Sequence, residues 1–300
     1  DRRCRWENIC EGLPRILWGF FKKIVVADSL AVVVQASYAD PSLSSGPALM
    51  LATFFFAIQI YADFSAYSDI AIGTARLFDI RLMQNFAYPY FSQSIWEFWQ
   101  RWHISLSTWF RDYLYIPLGG NRESRWRRNK NILITFLVSG LWHGAAWRFV
   151  AWGGLHGAAS IGLRPGSDRR SQMELERPGG NSLIPPVSTL FRMIGTFMLV
   201  SLFWVFFRAS DLTSALGYLR NMFWLTSATD TARLLSQVLW EPSSFVAVAV
   251  AAIVTWMAPQ TWNWTMRLTA PKAATAIGLL GLAWAVLATQ AHNPFLYFIF

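Results

Sequence analysis

The apolar residues of this chain are gathered in blocks, several of which reach or approach the ~20 residues that an α-helix needs to cross a bilayer core. Some blocks carry acidic side chains inside them. Few folds accommodate that pattern. A backbone in lipid must satisfy its own N–H and C=O groups, and open strand edges do not, so the blocks imply an all-helical protein crossing a membrane several times. Of 300 residues, 54% are hydrophobic and only 14% charged, which makes a soluble globular domain the weaker expectation.

Residues 48–73, "ALMLATFFFAIQIYADFSAYSDIAIG", begin as lipid-compatible sequence and then bring in Asp63, Ser65, Tyr67, Ser68 and Asp69. An acid at bilayer centre costs about 2.5–3.5 kcal/mol, so Asp63 is expected to face protein or water. Residues 13–35 are apolar but hold Arg15, Lys22, Lys23 and Asp28, which suits an interfacial or partly re-entrant helix. Along 94–115, "SIWEFWQRWHISLSTWFRDYLY", residues Trp96, Trp99, His103, Leu106, Phe110 and Tyr113 recur at three- and four-residue steps and predict one stripe of a helix. Glu97 and Arg101 form an i,i+4 pair on its other side. Residues 131–163 fit one tilted span or two shorter helices broken near Gly153 and Gly154. Further spans are expected at 187–207, 245–264 and 273–289, with a short amphipathic helix at 211–223 capped by Ser210 or Asp211.

Lys and Arg number 26 against 17 Asp and Glu. The excess is concentrated in "GGNRESRWRRNK" (119–130) and "RPGSDRRSQMELERPGG" (164–180), the latter within a polar segment at 164–186. The positive-inside bias reads both as cytoplasm-facing loops; a solvated loop that is merely basic is the alternative. No nucleic-acid-binding motif accompanies the charges, so nucleic acid is not expected as a partner. Cys4 and Cys10 are too few for a disulfide framework or a zinc site. The chain opens on Asp1 with no signal-peptide pattern, and further sequence before it is expected.

The chemistry-bearing residues are the histidines. His143 lies in "SGLWHGAAW", where Ser139, one turn earlier, is a candidate hydrogen-bond partner. Gly140 and Gly144 form a small-xxx-small pair suited to close helix packing. Packing accounts for the glycines but not for an imidazole among apolar neighbours, whose ordinary pKa suits general-base work near neutral pH. Residue types alone leave structural and functional readings of His143 both open. His156 follows thirteen residues later, which on a continuous helix puts it on roughly the opposite side and disfavours a metal pair. His292, before a proline, reads as an interfacial structural residue. No HExxH pattern and no GxSxG turn is present.

Longer motifs carry a resemblance. "QNFAYPYFSQSIWEFWQRWHISLSTWFRDYLYIPLGGNR" followed by "NILITFLVSGLWHGAAWRFVAWGGLHG" closely resembles the membrane-bound O-acyltransferase family, in the branch that holds the alginate O-acetyltransferase membrane subunit. "IQIYADFSAYSDIAIG" and the terminal "NPFLYFIF" resemble the same branch, so the likeness runs from about Gly12 onward. It implies a multi-helix bundle with re-entrant or interfacial helices around a central tunnel. Residues 1–300 would form a single membrane domain, the C-terminal part of a longer family domain.

By the same resemblance, His143 of the "WHG" motif is the catalytic base and His103 the second polar residue of the active-site tunnel. Trp102, Ser105, Asp63, Ser65, Tyr67, Ser139 and Trp142 are candidate substrate or tunnel residues, and no metal is expected. The implied reaction moves an acetyl or other acyl group from a thioester, acetyl-CoA or a similar donor, to a hydroxyl of an exported polysaccharide. No bound cofactor is implied. Expected partners are the lipid membrane and a polysaccharide acetylation complex, including a periplasmic acetyltransferase if transfer is relayed. The expected location is the bacterial inner membrane, as a multi-pass protein. Arg122, Arg125, Arg127 and Arg128 are candidate contacts for the donor's phosphates, although topology accounts for the same charges. Competing readings are D-alanyl transfer to teichoic acid, a transporter with a proton-relay histidine, and a catalytically idle scaffold; retention of both histidines disfavours the last.

Overall fold

The computed structural model describes residues 5–122, 124–163 and 186–223, with isolated positions between 255 and 281. Every regular element among these residues is helical. The expectations for 164–185, for nearly all of 245–264 and 273–289, and for Cys4, His292 and the terminal motif lie outside the described residues. The chain divides into two compact units: residues 5–44 and 54–84 belong to one, and residues 45–53 with the described residues from 85 to 223 belong to the other.

In the first unit, α1 (Trp6–Phe21) continues through a π-helical segment (Lys22–Ala27) into α2 (Asp28–Ala39), and α3 (Gly46–Leu77) packs against α1. Glycines set that crossing. A β-carbon added at Gly12 would lie 2.6 Å from the Gly73 carbonyl oxygen, and one at Gly73 would lie 2.7 Å from the oxygen of Gly12. With the backbones this close, cations of the first helix reach acids of α3. Arg15 donates to Asp69 at 2.9 Å, Lys22 to Asp69 at 2.6 Å and to Ser65 Oγ at 2.8 Å. Lys23 meets both Asp28 and Asp63 at 2.8 Å. Adjacent lysines point about 100° apart on a helix, so the two engage different acids on α3. All six charged groups are buried. The charges that suggested an interfacial position for 13–35 are therefore paired inside the protein, and Asp63 faces protein as expected.

The second unit begins with α4 (Ile95–Arg101), capped by Ser94, whose hydroxyl oxygen accepts the Glu97 N–H at 3.1 Å. Glu97 accepts in turn from the N–H of Gln93, the residue before the cap, at 2.8 Å and pairs with Arg101 at 2.9 Å. The single helix expected over 94–115 is in fact three pieces: α4, α5 (Ile104–Phe110) and a π-helical segment (Arg111–Tyr115). The extended segment at 85–87 causes the break. Its Ala87 N–H donates to the Arg101 carbonyl at 2.9 Å, and its Asn85 carbonyl accepts from the Ile104 N–H at 3.0 Å. Those groups are taken out of a continuous helical ladder.

Beyond it, α6 (Arg125–His143) and α7 (Trp147–Gly162) form a tight helical hairpin, followed by α8 (Val187–Arg208) and α9 (Leu212–Phe223). Residues 131–163 are thus two helices, but the break falls at 144–146 and not at Gly153 and Gly154. Those two glycines lie inside α7. A β-carbon at Gly153 would sit 2.2 Å from the Phe136 carbonyl oxygen, and one at Gly140 2.2 Å from that of Phe149, so the hairpin closes backbone to backbone. Gly144 lies beyond the end of α6 and faces the Phe149 ring; it is not the next turn of a helical glycine stripe. Among the described residues two helices, α3 with 32 residues and α8 with 22, are long and apolar enough to cross a membrane. Asp211 caps α9 by accepting the Ser214 N–H at 2.8 Å, as the amphipathic pattern predicted.

Candidate active site

His143 closes α6 and stands half-buried in a ring of aromatic side chains. Trp142, Trp152 and Phe207 meet it edge-on, with ring centroids 4.9, 5.1 and 5.2 Å away. Such edge-to-face pairs are worth about 0.5–1.5 kcal/mol each beyond area burial, and together they restrict the imidazole's rotation. No hydrogen bond joins it to Ser139, contrary to the local expectation; that serine lines a neighbouring cavity. Arg148, at the start of α7, fastens the end of α8 beside the site, donating to the carbonyls of Phe207 (2.8 Å) and Ala209.

His103 is buried at the α4–α5 break, with φ 45° and ψ 54°. Left-handed backbone is uncommon for residues other than glycine, and strained geometry of this kind clusters at functional sites. Asn85 maintains it. Besides its carbonyl contact, its Oδ1 accepts from the Ser105 N–H at 3.2 Å and from the Ser105 hydroxyl at 2.8 Å. Trp142 stands between the two histidines in ring contact, its centroid 6.4 Å from His103 and 4.9 Å from His143.

The other expected site residues divide. Trp102 packs its ring into the core against Phe86, Phe98 and Trp204 at 5.0–5.4 Å, and Ser105 holds the turn through Asn85. Trp142 and Ser139 lie beside the histidines. Asp63, Ser65 and Tyr67 belong to α3 in the first unit, where Lys23 and Lys22 engage Asp63 and Ser65.

The same unit holds a cavity of about 280 Å³. Trp96, Trp99, Phe110, Ile132 and Phe136 form apolar walls, while Ser107, Thr135, Ser139 and Ser160 add hydroxyls. Its lining runs from the exposed Arg111 and Asn121 to the buried Ile104, Ser139 and Ser160. Ile104 follows His103 and Ser139 lies one helical turn before His143, so the lining includes near chain neighbours of both histidines. Arg111 donates to Asp112 at 2.7 and 3.2 Å. That hydrogen bond holds the Asp112 carboxyl below its usual range and the guanidinium above its own.

Trp152, Phe207 and Asn85 were not singled out from sequence. Trp152 reaches His143 only because the chain reverses between α6 and α7, and Phe207 comes from a helix more than sixty residues away. No periodicity carries that information. The one local signal was Asn85, a turn-forming residue ahead of a capped helix.

Two histidines in ring contact with one tryptophan, in a helical chain with membrane-length helices among its described residues, describe a membrane protein with a candidate site for proton transfer. The chain belongs to the membrane-bound O-acyltransferase family, whose family model matches residues 11–161. It is 36% identical to a probable alginate O-acetylase of Azotobacter vinelandii, over 98% of this chain and 63% of that protein. Against the probable alginate O-acetylase of Pseudomonas aeruginosa it is 38% identical over 89% of this chain and 49% of the relative. It is also 38% identical to a peptidoglycan O-acetyltransferase of Helicobacter pylori, over 72% of this chain and 39% of the relative. The chain therefore spans about half to two thirds of the length of its alginate relatives.

Proposed function

We propose that this chain carries the catalytic centre of a multi-pass bacterial inner-membrane O-acyltransferase. Its donor is acetyl-CoA or another cytoplasmic acyl thioester, and its acceptor is a hydroxyl of an exported polysaccharide, reached directly or through a periplasmic acetyltransferase partner. The observation that carries this reading is the pair of histidines that both make ring contact with Trp142, at 6.4 and 4.9 Å.

In this reading His143 accepts the proton of the acceptor hydroxyl as its oxygen forms a bond to the thioester carbonyl carbon. The tetrahedral centre then collapses, the C–S bond breaks, and the imidazolium returns the proton to the departing sulfur. A base so placed accelerates attack by about 10²–10⁴-fold. His103, fixed by the strained turn, orients the donor or meets the developing oxyanion. The aromatic cavity admits the donor's thioester arm, and the basic start of α6, Arg125, Arg127 and Arg128, favours its phosphates. The alginate and peptidoglycan relatives, matched at higher identity and over more of the chain than the teichoic acid D-alanyltransferase of Streptococcus thermophilus (33% over 51%), favour an acetyl group and a glycan acceptor over D-alanine.

The test is O-acetyl content of the secreted polymer in bacteria expressing the protein in its full-length context. His143→Ala is expected to lower it about 10²–10⁴-fold, the general-base contribution, with the protein still folded in the membrane. Unchanged acetylation would remove His143 from the mechanism, and ester-linked D-alanine in the product would replace the acetyl reading.

A further inference from the structure

Among the described residues, His156 is the fully buried imidazole that this chemistry leaves unused, with 0% of its surface exposed. It lies one turn after Trp152 on α7. Its Nδ1 accepts the indole N–H of Trp99 at 3.2 Å. An Nδ1 that accepts leaves the proton of a neutral ring on Nε2, so this bond selects the tautomer. The ring meets Trp152 edge-on at 5.0 Å and Phe203 at 4.8 Å. Trp152 in turn meets His143 at 5.1 Å, and Phe207, one turn after Phe203, meets it at 5.2 Å.

Two tryptophans therefore depend on one imidazole. Trp99 is a wall of the cavity, and its indole N–H is fixed by His156. Trp152, 1% exposed, backs His143. The expectation that His143 and His156 lie on opposite sides of one helix does not hold, because the α6–α7 hairpin folds them against the two edges of the same indole neighbourhood. A phenylalanine would fill the space equally well but would leave the Trp99 N–H without its acceptor. The imidazole thus contributes what a phenylalanine cannot, a hydrogen-bond acceptor that fixes the orientation of Trp99.

We propose that His156 is a positioning residue for acyl transfer: through Trp99 it sets the wall of the donor cavity, and through Trp152 it fixes the orientation of His143. This rests on the reading of His143 as the base. His156 itself moves no proton.

The test uses the full-length protein purified in detergent, with thiol release from acetyl-CoA followed in the presence of the acceptor. His156→Leu is expected to lower kcat between about tenfold and a hundredfold, the effect of misplacing a reacting group by an ångström or less, and to raise the donor KM. His156→Asn, which offers an amide oxygen near the place of Nδ1, is expected to restore the donor KM toward the native value. Trp99→Phe is expected to raise the donor KM by itself, and Trp99→Phe combined with His156→Leu to raise it no further than His156→Leu alone. Native kinetics in His156→Leu, or additive KM effects in the double variant, would overturn the proposal. Should His156→Leu not fold, Trp99→Phe and His156→Asn decide: an unchanged donor KM in Trp99→Phe, or an Asn variant as impaired in KM as Trp99→Phe, overturns it. His143→Ala keeps the two readings separate. If that variant still releases thiol at the native rate, the base assignment fails; if it is inactive while His156→Leu is native, only the positioning role fails.

Discussion

His103 shows how one residue can be costly for the fold and useful to the site. At φ 45° its side chain crowds the backbone, a conformation that costs an L-residue about 1–2 kcal/mol and glycine almost nothing. Removing the ring by His103→Gly and by His103→Ala should therefore give an inverted stability order, with the glycine variant more stable by about 1 kcal/mol. Both are expected to lose acyl transfer. Thermal melting of the purified variants checks the first statement and thiol release the second. Asp69 poses the opposite case, a single carboxylate neutralising two buried cations, Arg15 and Lys22. Asp69→Asn leaves both uncompensated, and breaking a buried pair costs about 3–5 kcal/mol. A sharp fall in folded yield and melting temperature is expected, where a surface carboxylate would change little.

At the scale of elements, the α6–α7 hairpin is the device that makes the site. Gly140 and Gly153 let the helices touch at their backbones, and that contact brings Trp152 of α7 to His143 of α6. A methyl at Gly140 would lie 2.2 Å from a carbonyl oxygen that cannot move without its helix. Gly140→Ala should therefore force the pair apart, at a cost of about 1–3 kcal/mol for overpacking, and reduce transfer along with stability. Gly154→Ala is the control. Its added carbon would meet only Leu137 Cδ2 at 3.6 Å, ordinary contact, so native activity is expected there. Both effects are read by melting and by thiol release in the same preparations.

For the molecule as a whole, orientation in the membrane follows from charge. The formal net charge is +9, and a cluster of its basic residues stands at the start of α6, around Trp126, which is 78% exposed. By the positive-inside bias, the proposed orientation has that end in the cytoplasm, on the side of the proposed thioester donor. A cysteine at position 126, in a protein whose Cys4 and Cys10 are replaced by serine, should react with a membrane-impermeant maleimide only after the inner membrane is opened. Labelling of intact cells from the periplasmic side would reverse the orientation and, with it, the direction of transfer.

Much of this was legible in the chain before any coordinates. Block lengths specified the long helices over 48–73 and 187–207, because backbone hydrogen bonding in lipid leaves few alternatives; the cap of α9 could be read from Asp211, because capping is local. The two motifs pointed to His103 and His143. Tertiary structure decided what no local pattern encodes: that Asn85 breaks the helix at His103, that the turn at 144–146 sets His143 against Trp152, and that His156 reaches Trp99. Each of these joins residues far apart along the chain, and their energies come from packing and shared hydrogen bonds, which sequence periodicity does not record.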